Sequence, residues 1–156
     1  MKVLVKGDWS QASTLFPQDS VFDDTGENPP YDAAFLGHYL QTLNLSDVVP
    51  YLKELALLLD VGNEIWVTVP SLEWAAREIV TKDEPSVIIP LLIYGAVSDP
   101  HHCGFTMMWL RVALENAGFT TRKAVQEGYQ LNIDGIGEYM AVQNLVIGMK
   151  YDVESS

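Results

Sequence analysis

The chain has 156 residues, of which 48% are hydrophobic, so we predict a single folded domain over residues 1–156 rather than a disordered protein. Nine basic residues against twenty-one acidic ones give a formal net charge of -12, which argues against binding to nucleic acid or to an anionic membrane surface. The single cysteine, Cys103, excludes an internal disulfide and fits a reducing compartment.

The cellular location is predicted from the lack of targeting signals. The chain starts as Met-Lys-Val-Leu-Val and then reaches charged residues, without the pattern of a signal peptide. The longest apolar run, residues 87–94, is much shorter than the ~20 residues that a membrane-spanning helix needs. We therefore expect a soluble cytoplasmic protein.

The first thirty residues predict two short strands and contain no glycine-rich loop. Valine and leucine at residues 2–6 indicate the first strand, and residues 20–22 indicate the second. Residues 9–19 between them are polar and mixed, and this segment is short for a helix. Residues 25–30 contain Gly, Asn and two Pro, which is typical of a loop. The turn residues that follow the two strands are Gly7, Asp8, Asp23 and Asp24.

A strand–helix–strand unit follows. Residues 31–36 are almost entirely apolar and predict a buried strand. Apolar residues recur at helical spacing over residues 45–59, with Ser46 as the predicted N-cap and Gly62 as the predicted end of the helix. Residues 64–69 are β-branched and aromatic, which indicates a second strand. The short connections predict a right-handed crossover and a parallel sheet.

The second half of the chain predicts two helices and a hairpin. Ser71 is the predicted N-cap of a helix over residues 72–80, and Thr106 is that of a helix that runs to Ala117. Residues 81–105 between them are irregular and contain three prolines. Two strands around a segment rich in turn residues then predict an antiparallel hairpin. These strands are residues 119–129 and 139–150, and the turn segment is residues 132–137.

Three segments carry a recognisable pattern in a fixed order. They are YDAAFLGHYL at residues 31–40, a helix, glycine turn and strand ending in Val-Pro at residues 55–70, and GFT at 104–106 followed by AGF at 117–119. Together they resemble the class I S-adenosylmethionine-dependent methyltransferases, especially their small bacterial and phage-type members. The resemblance covers about residues 31–150. It implies an α/β Rossmann-like domain with a mostly parallel sheet, a C-terminal antiparallel hairpin and a shortened N-terminus.

The resemblance also implies S-adenosylmethionine as the cofactor. The family normally has a Gly-x-Gly loop and a helix after its first strand; here a single glycine, Gly7, follows that strand, and the first helix and one strand are shortened or lost. Asp23 or Asp24 stands where the family keeps an acid for the ribose hydroxyls, although an aspartate there suits a loop cap equally well. The implied cofactor-binding residues are Gly7, Asp8, Asp23, Asp24, Gly37 and His38.

Three histidines and one tyrosine supply the remaining candidate contacts. His38 follows a predicted buried strand at the edge of the sheet where ligands bind, so it is either a ligand contact or a half-buried histidine bonded to the backbone. Tyr94, His101 and His102 are candidate substrate contacts, the histidines from a loop over the pocket. We predict no metal site, because the adjacent His101, His102 and Cys103 point in alternating directions and lack chelating spacing.

Three functions stay open at this point. The first is a small methyltransferase with an unknown acceptor; we name no catalytic residue, because methyl transfer mainly requires alignment of the reactants. The second is a non-catalytic subunit with the same fold, which binds a partner or a second copy through an apolar interface within residues 81–110. The residues that suggest this interface are Ile88, Ile89, Leu91 and Leu92. The third is another nucleotide-related enzyme on this fold.

Overall fold

The computed structural model describes residues 1–81, 93–96, 99–133 and 137–152. The strands are β1 (Lys2–Gly7), β2 (Val21–Asp23), β3 (Tyr31–Gly37), β4 (Leu59–Pro70), β5 (Gly95–Ala96), β6 (Asp99–Pro100), β7 (Phe119–Ile133) and β8 (Gly137–Lys150). The α-helices are α1 (Trp9–Leu15), α2 (Val48–Leu57), α3 (Leu72–Thr81) and α4 (Met107–Asn116). Two 3-10 turns, Leu40–Thr42 and Leu45–Asp47, precede α2.

Six of the strands form one sheet in the order β2-β1-β3-β4-β8-β7. Strands β1 to β4 run parallel, whereas β8 pairs antiparallel with both β4 and β7. Gly7 pairs with Gly37, so β1 and β3 end side by side at the same edge of the sheet. The predicted α/β fold, with a mostly parallel sheet and a C-terminal antiparallel hairpin, is confirmed.

Alternate residues of the central strands face two separate cores, as the two-residue period of a strand requires. On one face, Val5 and Phe35 pack with Ala12 of α1 and with Phe16 just after it. On the other face, a larger core joins the sheet to α2 and α4. Its buried members include Leu4, Leu36, Ile65, Leu52, Leu110 and Leu114. The helices thus pack on the faces of the sheet, and its edge at the carboxyl ends of β1 and β3 carries the site.

A helix does follow β1, although residues 9–19 show no helical periodicity. The Asp8 carboxylate caps α1 by accepting hydrogen bonds from the backbone N–H of Ser10 at 3.0 Å and of Gln11 at 3.4 Å. The helix has 7 residues, and its buried Ala12 packs on the sheet. The cap and this packing specify the helix, because so short a segment shows little periodicity.

The predicted bounds of the second helix were wrong at both ends. Its first turn is a 3-10 turn, the side chain of Ser46 caps nothing that the structure describes, and the helix ends at Leu57 rather than at Gly62. Strand β4 starts at Leu59 because Leu59 pairs with Tyr31 of β3. The regular pairing of the two strands resumes only at Glu64, opposite Ala33. The extra residues of β4 form a bulge, in which Gly62 adopts a φ of +91°.

The other predicted elements are confirmed where the structure describes them. Trp74 N donates to Ser71 Oγ at 3.1 Å and Trp109 N donates to Thr106 Oγ1 at 3.2 Å, so both predicted caps exist. The strands of the hairpin extend further toward its turn than predicted. Turn residues 134–136 and the apolar residues at 88–92 lie outside the described residues. Within the described ranges, every helix is too short or too polar to cross a membrane.

Candidate functional site

A cavity of about 700 Å³ opens at the carboxyl ends of β1 and β3. Its walls come from the turn after β1 with helix α1, from the turn after β3, and from the β7–β8 hairpin. The lining residues are Gly7, Asp8, Ser10, Gln11, Thr14, Leu15, Gly37, His38, Tyr39, Thr42, Glu127, Tyr129, Gln130, Leu131 and Gln143. Four of the six predicted cofactor-binding residues therefore line one cavity: Gly7, Asp8, Gly37 and His38.

The wall at the strand ends depends on a close approach between two backbones. Gly7 has a φ of +85°, and a Cβ built on it would lie 2.0 Å from the carbonyl oxygen of Gly37. Asp8 N donates to the same oxygen at 2.8 Å. Only glycine fits at position 7, both because of its φ and because a side chain would collide with the next strand. The single glycine after β1 thus allows the ends of β1 and β3 to lie in contact.

The wall from the hairpin is a chain of side-chain hydrogen bonds. Gln143 Nε2 donates to Glu127 Oε1 at 2.7 Å, and a carboxylate can only accept, which fixes the orientation of the Gln143 amide. Gln143 Oε1 is therefore the acceptor that lies 2.6 Å from His38 Nε2, so this nitrogen carries a proton. The His38 ring also packs edge to face against Tyr129, with centroids 4.8 Å apart.

Helix α1 is tied to the same network. Gln11 Nε2 donates to Gln143 Oε1 at 3.2 Å, and Thr68 Oγ1 donates to Gln11 Oε1 at 3.1 Å. Thr68 is fully buried and Gln143 is nearly so. These bonds connect α1, β4 and β8 across one end of the sheet, so the polar residues of the cavity hold one another in place.

The described wall of the first cavity contains acidic side chains and lacks basic Lys or Arg. Two carboxylates, Asp8 and Glu127, line it, and no Lys or Arg is among its described lining residues. Burial raises the pKa of the Tyr129 hydroxyl, so this ring stays neutral at physiological pH. Carboxylates combined with two tyrosines in the wall, Tyr39 and Tyr129, suit a ligand that carries a positive charge.

Asp23 and Asp24, at the end of β2, do not line this cavity. Asp23 accepts hydrogen bonds from Tyr31 Oη at 2.5 Å, Thr25 N at 2.9 Å, Thr25 Oγ1 at 2.8 Å and Asn28 Nδ2 at 3.2 Å. These bonds, the one from Tyr31 above all, hold the pKa of the Asp23 carboxyl well below its ordinary value. Asp23 closes the loop before β3, and a ribose contact there stays a prediction that this geometry does not favour.

Two aromatic rings, Trp9 of α1 and Phe22 of β2, lie outside the wall of the first cavity. Trp9 and Phe22 pack edge to face with ring centroids 6.0 Å apart, and neither ring is part of the cavity wall. Phe22 also packs against the core beneath α1. The space beside Gly7, where a cofactor would approach the backbone, is therefore not taken up by these two rings.

The predicted substrate contacts lie together in a second cavity, of about 310 Å³. Tyr94, His101 and His102 line it, with Cys103 and the end of β4. Burial raises the pKa of the Cys103 thiol, which donates to the backbone carbonyls of Leu40 and Leu43. Cys103 is thus a neutral packing residue. No group of three potential metal ligands exists in the described part of the chain.

Sequence reasoning missed the residues of the hairpin wall and of α1. Glu127 and Gln143 are directly paired across β7 and β8, and Gln11 joins them from α1. A signal for the first two existed, because hairpin strands pair residues that are equally distant from the turn. Gln11 had no such signal, since its place in the cavity depends on how α1 packs.

The fold is shared with solved structures of methyltransferases. An S-adenosylmethionine-dependent methyltransferase from Methanosarcina mazei matches 96% of this chain with a TM-score of 0.54 and 11% identity. The 1,6-didemethyltoxoflavin-N1-methyltransferase of Burkholderia thailandensis, solved with S-adenosylhomocysteine, matches 96% with a TM-score of 0.53 and 16% identity. A Bacillus halodurans protein assigned as a methyltransferase matches 97% with a TM-score of 0.58 and 12% identity.

These likenesses establish the fold. The chain spans 92% of the Bacillus protein, 81% of the Methanosarcina protein and 61% of the Burkholderia enzyme, and only 40% of some other matched structures. No protein-family model and no curated protein sequence matches the chain. The chain therefore has the fold of the S-adenosylmethionine-dependent methyltransferases.

Proposed function

We propose that the cavity at the ends of β1 and β3 binds S-adenosylmethionine and that the chain transfers a methyl group to a small acceptor. The observation that carries this proposal is the cavity itself, which combines the Gly7–Gly37 contact with two carboxylates on a methyltransferase fold. The net charge of -12 favours a small or neutral acceptor over a nucleic acid. A cytoplasmic location is part of the same proposal.

The residues of the cavity fit the chemical groups of this cofactor. The cofactor is a cation at its sulfonium, and Asp8 and Glu127 provide negative charge without a competing Lys or Arg in the described wall. The cap of α1 uses Oδ1 of Asp8, which leaves Oδ2 to accept a hydrogen bond from a ribose hydroxyl. In this proposal, Asp8 takes the ribose role that the resemblance implied for Asp23 or Asp24.

The chain's residues align and shield the reaction. When bound, the cofactor would supply an activated methyl carbon at its sulfonium for in-line transfer to an acceptor, with the thioether as the leaving group. Gly7 and Gly37 form a backbone wall beside the ligand, and Tyr39 and Tyr129 line the cavity around it. His38 is held by Gln143 at 2.6 Å, so its ring keeps one orientation beside the ligand.

Titration calorimetry with S-adenosylmethionine and S-adenosylhomocysteine tests this proposal. Thr14 lines the cavity, whereas its neighbour Ser13 is an exposed residue of the same helix outside the wall. We expect Thr14→Trp to weaken both ligands by about tenfold or more by occupying the cavity, and Ser13→Trp to leave them unchanged. Absence of heat with either ligand at millimolar concentration, on correctly folded wild-type protein, would reject the proposal.

A further inference from the structure

Strand β7 forms one edge of the six-stranded sheet. It spans 15 residues, which is about three times the usual length of a strand. Among the described residues, β7 pairs only with β8, and no backbone bond from a turn or loop reaches its outer edge. Such an edge presents a row of unused N–H and C=O groups, to which another extended strand can bind.

Protection of this edge is confined to the first residues of β7. Arg122, Lys123 and a bulge between Thr121 and Lys123 lie there, and charges and bulges are features that keep sheets from joining at their edges. Residues 124–133 contain no Pro, Lys or Arg, and Glu127 is their only charged residue. The Glu127 side chain lines the first cavity, so residues 124–133 form an unprotected edge.

Gly128 lies at the middle of this unprotected edge. It does not have a positive φ, and a Cβ built on it would meet Met140 Cε at 3.2 Å and the Ala141 oxygen at 3.8 Å. Met140 is 68% exposed, so its side chain can move away. The described fold therefore does not require glycine here, although glycine weakens the interior of a strand. A glycine in such a position marks a place where another backbone approaches closely.

The unprotected edge also carries part of the first cavity. Strand β4 pairs with β8 only as far as Gln143, and Glu127 of β7 lies opposite that residue. Beyond this pair, residues 128–133 and 137–142 continue as a two-stranded ribbon, a structure that is only marginally stable by itself. Residues 129–131 of the ribbon line the cavity, so a strand added beside β7 would support the hairpin wall.

We propose that two copies of this chain pair antiparallel through residues 124–133 of β7, about a two-fold axis beside Gly128. In antiparallel pairing a strand edge is complementary to itself, so identical segments satisfy each other's N–H and C=O groups and form a closed dimer. Because Gly128 is central in the segment, the two backbones meet where neither has a side chain. The two sheets become one continuous sheet, and each β7 covers the ribbon of the other copy.

Sedimentation velocity on the full chain tests the pairing, in about 0.15 M salt to screen the repulsion between chains of net charge -12. We expect wild type to be dimeric at high micromolar concentration. Gly128→Lys places like charges opposite each other and should raise the dimer dissociation constant about fivefold or more. Thr120→Lys adds the same charge to an exposed residue in the protected part of β7, so it should change the constant by less than about twofold.

Cysteine crosslinking locates the axis. The background is Cys103→Ser, in which a hydroxyl can still donate to the carbonyls of Leu40 and Leu43. Gly128→Cys should form a disulfide-linked dimer on mild oxidation, because facing Cα atoms of antiparallel strands lie about 4.5–5.5 Å apart, within the span of a disulfide. Thr120→Cys should stay unlinked under the same conditions.

Each result either supports the dimer or rejects it. A monomeric wild type, an unchanged dissociation constant in Gly128→Lys, or equal crosslinking of the two cysteine variants would overturn the proposal. Circular dichroism of Gly128→Lys checks that the variant is folded, and the crosslinking result stands without it. The outcome is independent of cofactor binding, which is measured on the first cavity.

Discussion

The first cavity has two walls that are built in different ways. At the ends of β1 and β3, backbone atoms form the wall, and the carbonyl oxygen of Gly37 lies 2.0 Å from the position that a Cβ of residue 7 would take. On the side of the β7–β8 hairpin, side chains form the wall through the bonds that join His38, Gln143 and Glu127. The first wall consists of backbone that pairs within the sheet. The second wall consists of side chains on β7 and β8, and the backbone pairing of these strands does not depend on those side chains.

This difference predicts how each wall responds to substitution. A change at a strand end alters the contact between β1 and β3, so it should lower stability and binding together. A change in the hairpin wall leaves the backbone pairing of β7 with β8 intact, so it should alter ligand binding with little loss of stability. Substitutions in the two walls should therefore separate effects on stability from effects on ligand binding.

The largest effect is expected for Gly7→Ala. The new Cβ would lie 2.0 Å from the Gly37 oxygen at a φ of +85°, so we expect a loss of about 3 kcal/mol or more in the free energy of unfolding. Gly62→Ala is the matched control, because its φ is +91° but nothing lies within 4 Å of the added Cβ. It should cost about 1 kcal/mol. Urea unfolding measures both, and equal losses would contradict the role of the contact.

The same contrast explains what could be predicted from the sequence. The strand ends were predictable, because Gly7, Asp8 and Gly37 are local turn signals beside apolar strands. The caps Ser71 and Thr106 were predictable for the same reason. A local sequence pattern predicts a feature when its hydrogen-bond partner lies only a few residues away, as in these caps.

Other features depend on packing and were not predictable. Helix α2 ends at Leu57 because Leu59 is needed to pair with Tyr31, and no local pattern reports a pairing between such distant residues. Gln11 reaches the cavity only because Ala12 and Phe16 dock α1 on the sheet. Asp23 and Asp24 were predicted to bind the ribose because they stand where the resembling family keeps an acid, although an aspartate there suits a loop cap equally well. The hydrogen bond from Tyr31 Oη to Asp23 assigns Asp23 to closing the loop.

An intermediate effect is expected for Asp23→Asn, at a strand end that contributes to neither wall. The folded pKa of Asp23 lies below its ordinary value of 3.8, so its bonds stabilise the protein above that pH, and the stability is lost as pH falls through the folded pKa. Urea midpoints should therefore differ between wild type and variant at pH 7, and the gap should narrow below about pH 4.

The control for this substitution is Asp24→Asn, which removes the same charge from the neighbouring exposed residue and should leave the urea midpoint nearly unchanged. Neither variant should alter the affinity for S-adenosylhomocysteine by more than about twofold, because neither residue lines the cavity. A large loss of affinity in Asp23→Asn alone, without a change in stability, would restore the ribose role to Asp23.

The smallest effect on stability is expected for Glu127→Gln, which removes a charge from the hairpin wall and keeps an oxygen that can accept from Gln143. If Glu127 acts on the sulfonium, the affinity for S-adenosylmethionine should fall by roughly fivefold, and that for the uncharged thioether of S-adenosylhomocysteine should change much less. Glu54→Gln on the exposed surface of α2 is the control, since it changes the net charge by the same amount at a distance. Equal losses for both ligands in Glu127→Gln would instead show that the carboxylate acts by orienting Gln143 and His38. That result would make the hairpin wall a positioning device, and the negative charge that favours the cofactor would then come from Asp8 at the strand ends.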